Sequence, residues 1–160
     1  MINYGALPYS DRAKTTVNKP TNRLNSQERL ADRPGLPPAA SAEAALRNRV
    51  QYLITALNGQ FGKVMAELIA EGQSDPTVLH ELHERHISTR RDTALAEIER
   101  GKASGELSVQ LDAGLLLEAV FGAIYFRLLL RSAPLDAAFG ERLVDQALAG
   151  YKKTAKTAAD

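Results

Sequence analysis

Between Ala113 and Leu130 only Glu118 and Arg127 are charged. A helix built from this run is apolar on nearly every side, and such a helix has to be covered on more than one face. The run is at the short limit for a membrane span, carries two charges and adjoins an amphipathic segment, so no membrane span is expected. After a break at Ser132-Ala133-Pro134, the residues Phe139, Leu143, Val144, Ala147 and Leu148 fall on one stripe of a helix. Asp112 to Gly150 therefore reads as a helical hairpin. Its first member serves two interfaces, the core of its own domain and a second protein surface.

The remainder of the chain agrees with helix throughout. Leu and Ala dominate, and Thr, Val and Ile are too thinly spread to form alternating strands. The expected class is all-α, a bundle of about five helices. With 160 residues the chain is long enough for one domain with a sizeable core. There is no cysteine, hence no disulfide framework and no thiolate metal site. No charged segment followed by an apolar one opens the chain, so a secretory signal is not expected and the protein is placed in the cytoplasm. Charge is unevenly spread: residues 1–40 sum to +3, the tail after Gly150 to +2, and the body to −4. A weakly acidic body is a poor nucleic-acid surface.

Residues 1–40 contain Pro8, Pro20, Pro34, Pro37 and Pro38 with many Asn, Ser and Thr, and read as a disordered basic leader. A short helix over Gln27–Asp32 behind Ser26 would be marginal without packing. The first sustained helix starts at Ser41 as N-cap, with Leu46, Val50, Leu53, Ile54 and Leu57 on one stripe, and ends near Asn58-Gly59. Phe61, Val64, Met65, Leu68 and Ile69 continue the pattern as a second helix, or as the same helix bent at Gly59. Gly72 is expected to end it in the left-handed conformation. Asp75-Pro76 starts the next helix, with Pro at the first helical position where no hydrogen bond is lost. That helix is long, interrupted by a polar turn or bend over His86–Asp92, and stopped by Gly101 or Gly105. Asp112 caps the apolar helix. Residues 152–160 read as a flexible tail.

The succession LIAEGQSDP (68–76), STRRDTALAEIERGKASGEL (88–107), LDAGLLLEAVFGAIYFRLLL (111–130) and PLDAAFGERLVDQAL (134–148) resembles the C-terminal regulatory domain of TetR/AcrR-family transcriptional regulators. The resemblance covers residues 41–151. It implies an all-helical effector-binding and dimerisation domain whose last two helices pair with those of a second subunit. Leu116, Ala119, Val120 and Ala123, with Phe139, Leu143, Ala147 and Leu148, are the dimerisation residues it implies. Gly114 and Gly122, with Ala119 and Ala123, would let helices approach closely. Residues 1–40 depart from the family pattern, since they are too short and too proline-broken for its three-helix DNA-binding unit. Specific DNA binding by this chain alone is therefore not expected.

An effector pocket, implied by the same resemblance, would be lined by Phe61, Met65, Leu68, Phe121, Tyr125 and Arg90, the last two supplying directed polar contacts to a small apolar effector. Each apolar member reads first as core packing, because that is what helical spacing produces. His80, His83 and His86 are spaced three apart, but the H-E-x-x-H pattern fails at Glu84 and Ile87. The histidines read as a solvated group with His86, beside the apolar stripe, turned inward, and no metal or cofactor is expected. Glu118 and Arg127 cannot pair within their helix and are expected to reach solvent or a partner charge. No nucleophile and base can be paired by spacing, so no enzyme is expected. The expected function is effector binding and homodimerisation in transcriptional regulation. The rival expectations are an interaction module that heterodimerises with intact TetR-family regulators, and a truncated remnant of one.

Overall fold

A computed structural model describes residues 39–152. Residues 1–38 of the expected leader, with its short helix at Gln27–Asp32, and nearly all of the tail lie outside the described residues. Five helical rods form the described part: α1 (Ala42–Leu57), α2 (Gln60–Gly72), a continuous third rod, α5 (Ala113–Leu130) and α6 (Ala137–Leu148). The third rod consists of α3 (Pro76–Leu82), a π-helical turn (His83–Ile87) and α4 (Ser88–Ala103). Among the described residues there is no strand, only an isolated bridge between Leu107 and Lys152.

The hub is α1, which packs against α2, α4, α5 and α6. Its buried residues Ala42, Ala45, Leu46, Val50, Ile54 and Leu57 recur at spacings that would fill one side of a helix and its flank. Ser41 caps its start, the hydroxyl accepting from the Ala44 amide at 3.1 Å. A second cap comes from far along the chain. The Glu106 carboxylate accepts from the amides of Ala42 (2.8 Å) and Glu43 (2.9 Å), so one acidic side chain closes two of the donors that every helix start leaves unpaired.

The sharp connection from α1 to α2 depends on Gly62 rather than on Gly59 alone. A Cβ at position 62 would lie 1.8 Å from the Leu57 carbonyl oxygen, whereas one at Gly59 would meet its nearest neighbour at an ordinary 3.4 Å. Gly72 also departs from expectation. It lies inside α2 without a positive φ, and its bare Cα makes room for the Leu79 side chain, which a Cβ would approach to 2.4 Å. Close approach, not left-handed geometry, explains glycine there.

Asp75 and Pro76 start α3 as expected, the carboxylate accepting from the Thr77 amide at 3.0 Å. The polar interruption of the third rod takes the form of a π-turn over His83–Ile87, slightly earlier than the expected bend. α4 ends at Ala103, followed by Gly105 at φ +77°. Asp112 caps α5 by accepting from Leu115 (3.0 Å), and Asp136 caps α6 by accepting from Phe139 (2.8 Å).

Ion pairs fasten the outer helices to the hub. Arg49 on α1 and Glu97 on α4 form a two-pronged pair at 2.6 and 2.8 Å. Arg47 gathers Glu43 of its own helix and Glu141 and Asp145 of α6. Lys152 also reaches Glu43, at 2.7 Å. These positive charges hold the Glu43 and Asp145 carboxyls below their ordinary range; Lys152 then Arg47 act on Glu43, and Arg47 acts on Asp145.

Candidate functional site

Helix α5 has two apolar faces with different surroundings. Ala113, Leu116, Leu117, Val120 and Ile124 turn inward and are buried. On the other side Leu115, Phe126, Leu129 and Leu130 remain 64%, 56%, 41% and 62% exposed, with Ala119 and Gly122 exposed between them. Positions 115, 119, 122, 126 and 129 are separated by four, three, four and three residues. That spacing forms one continuous seam along a helix, the kind that packs against another helix. A monomeric soluble protein seldom leaves so coherent an apolar strip in water.

The expected dimerisation set divides accordingly. Leu116, Val120, Phe139 and Leu148 are buried in the chain's own core and cannot present a surface to a partner. Ala119 is exposed, and Ala123, Leu143 and Ala147 are partly buried beside the seam. The exposed Leu115, Phe126, Leu129 and Leu130 do not belong to the expected set. The four-three spacing was there to be read, but on a helix apolar all round a second stripe of similar quality competes with it.

The other face of α5 belongs to the interior. Phe61, Met65 and Leu68 of α2 are buried there, and Phe121 and Tyr125 of α5 pack against the same cluster. Five of the six expected pocket residues thus share one apolar cluster, while Arg90 stands exposed on α4. Burial pushes the Tyr125 hydroxyl above its ordinary value near 10, and the Arg90 charge opposes that shift.

His86 is the single buried polar or charged side chain among the described residues. It is turned inward from the π-turn, as its place beside the apolar stripe implies, whereas His80 and His83 are exposed. Such turns add a residue to a helical turn and often occur at functional sites. Among the described residues no group of three His, Asp or Glu side chains could hold a metal ion.

The two charges of α5 behave differently from each other. Glu118 is exposed, with Arg91 Nη2 at 3.5 Å. Arg127 stays partly open to solvent while its guanidinium folds back onto the next helix. It donates to the Pro134 carbonyl at 2.5 Å and lies over the Phe139 ring, 3.6 Å from its centroid, bracing the hairpin between α5 and α6.

A hub helix, an apolar interior and a closing hairpin that bares an apolar seam define an all-helical bundle domain. The chain belongs to the TetR family: residues 36–147 match the family model described as "Tetracyclin repressor-like, C-terminal domain". It is 29% identical over 126 residues to the uncharacterized HTH-type transcriptional regulator YdeS of Bacillus subtilis (strain 168), covering 79% of this chain and 64% of that protein. The fold is similar to the crystal structure of the TetR family transcription regulator SCO0332, with a TM-score of 0.67 and 25% identity over 71% of this chain and 63% of that one. The chain thus spans slightly less than two thirds of the length of each.

Proposed function

We propose that residues 41–151 form the dimerisation and effector-binding part of a TetR-type transcriptional regulator. The observation that carries this reading is the exposed seam of Leu115, Ala119, Gly122, Phe126 and Leu129 on α5. Covering it with a second subunit removes apolar surface from water, at roughly 25 cal/mol for each Å² buried. The partly buried Ala123, Leu143 and Ala147 flank that interface. The role is one of binding in the cytoplasm, without catalysis, a cofactor or a membrane span. The acidic body of the domain offers no surface for DNA, so target recognition is not assigned to it.

The effector would be a small apolar molecule held against Phe61, Met65, Leu68, Phe121 and Tyr125, with Arg90 and Tyr125 orienting it. Binding there would bias the packing of α5, whose opposite face lies in the subunit interface. A signal from ligand to partner then needs no path longer than the width of one helix.

Sedimentation equilibrium tests the dimer. The wild-type chain is expected to sediment at twice its 17.4 kDa mass, and Phe126→Glu as a folded monomer with unchanged helical circular dichroism. A wild-type chain that sediments as a monomer across the accessible concentration range overturns the proposal. A charge at Leu148 would not serve, because that side chain is wholly buried and its replacement tests folding instead. Thermal shift with a panel of apolar ligands tests the pocket, Tyr125→Ala being expected to abolish any ligand-induced rise.

A further inference from the structure

We infer that His86 is the residue that selects the effector, and that it selects an apolar molecule ending in a carboxylate; this rests on the effector-binding reading above and names the ligand class. Both ring nitrogens of His86 are shut off from solvent. Carrying a polar ring into an apolar interior is costly, so its place there calls for a use. The π-turn puts it there. One extra residue in a helical turn changes which later positions face inward. Before this turn the third rod packs against α2, and after it against α1 and α5. α2 and α5 are the helices that bring Phe61, Met65, Leu68, Phe121 and Tyr125 into one apolar cluster. His86 therefore turns inward where the rod passes between the two sources of that cluster.

The head group of the ligand follows from the donors. Arg90 stands four residues after His86, which places the two on one side of the rod, His86 buried and Arg90 exposed. The Arg90 charge also acts on the Tyr125 hydroxyl, which burial leaves holding its proton to higher pH than an ordinary tyrosine. An imidazole N–H, a guanidinium and a phenolic O–H are all donors, and the guanidinium cannot accept. What they can hold together is an acceptor. A carboxylate accepts such bonds about twice as strongly as a neutral oxygen does. An ammonium head group would instead meet the Arg90 charge. The nearby carboxylates are placed elsewhere: Glu84 is exposed beside His83, Glu118 is exposed with Arg91 at 3.5 Å, and Glu81 is half-buried on α3, before the π-turn.

The full chain is titrated by calorimetry with octanoate, 1-octanol and octylamine, which share one alkyl chain and differ in head group. Hydrogen bonds to a charged group are strong enough that wild type is expected to bind octanoate at least about tenfold more tightly than octanol, and octylamine least. His86→Leu is expected to lose at least about tenfold in octanoate affinity while octanol stays within about twofold, with helical circular dichroism unchanged. A second measurement reads His86 itself and does not depend on the folding of that variant. The chain has three histidines, and His80 and His83 are exposed, so His80→Gln/His83→Gln leaves one histidine ring signal for nuclear magnetic resonance. That signal is expected to move as octanoate is added. A His86→Leu chain that keeps the octanoate preference, or a ring signal that stays put at saturating octanoate, overturns the assignment of His86. Octanol bound as tightly as octanoate overturns the carboxylate class and leaves the effector-binding reading standing. Failure of both to bind overturns the two together.

Discussion

Glu106 holds the start of the hub helix from 64 residues away, and replacing it with alanine is the most informative single perturbation of the fold. The carboxylate accepts two amide hydrogen bonds, at 2.8 and 2.9 Å, and the Ala42 it serves is buried. Hydrogen bonds to a charged group contribute about 1.5–3 kcal/mol each. A carboxylate at a helix start adds about 0.3–1 kcal/mol through the dipole. Because the site is only partly buried, water can replace some of what is lost, so the net cost falls below the roughly 3–7 kcal/mol to which these contributions sum. Glu106→Ala is expected to cost about 2–3 kcal/mol. With a urea slope of roughly 1.5 kcal/mol per molar for a small domain, the midpoint falls by about 1–2 M. Urea titrations followed by circular dichroism, at one fixed protein concentration so that association does not confound the comparison, give the measurement. Ser41→Ala, which removes the ordinary cap beside it, is expected to cost about 1 kcal/mol. If Glu106→Ala stays within about 0.5 kcal/mol of wild type, as harmless surface substitutions do, then the two-pronged cap does not hold α1 and the reasoning fails.

Two further outcomes follow from the packing and the ion pairs. Glu43 and Asp145 have depressed pKa values from ordinary values of 4.5 and 3.8, so the stability they contribute is complete above those values and is lost as pH falls through the lower folded-state values. Arg47→Met should therefore flatten the fall in urea midpoint on acidification below about pH 4.5, and an acid limb unchanged by the substitution would show that Arg47 is not the cause. Gly62→Ala brings a methyl group against the Leu57 carbonyl and should cost at least the 1–3 kcal/mol typical of overpacking, read as a lower melting temperature; Gly59→Ala, with ordinary contact distances, should cost markedly less.

The helices and their starts were legible because their causes are local. Ser41, Asp75-Pro76 and Asp112 each close donors within three residues of themselves, and the sequence carries both halves of that interaction. Buried stripes on α1 and α2 are visible for the same reason, since polar residues interrupt the other faces. His86 could be turned inward from its position against a stripe. The family resemblance added the order of elements and the expectation of association.

What tertiary structure alone decided is which side of α5 faces inward. On a helix where only Glu118 and Arg127 are charged, hydrophobicity ranks no face above another, and Leu115 and Leu116 are chemically the same residue. The choice was made by α1, α2 and α4 packing against α5, which bury Leu116, Val120 and Ile124 and leave Leu115, Phe126 and Leu129 outside. Glu106 on Ala42 and Glu43, and Arg47 on Glu141 and Asp145, were hidden for a related reason: partners 63 to 98 residues apart meet only after the chain has closed on itself. Local chemistry determined the elements. The allocation of an all-apolar helix between a core and a surface needed the neighbours in place, because burial is a property of the assembled packing and not of the residue.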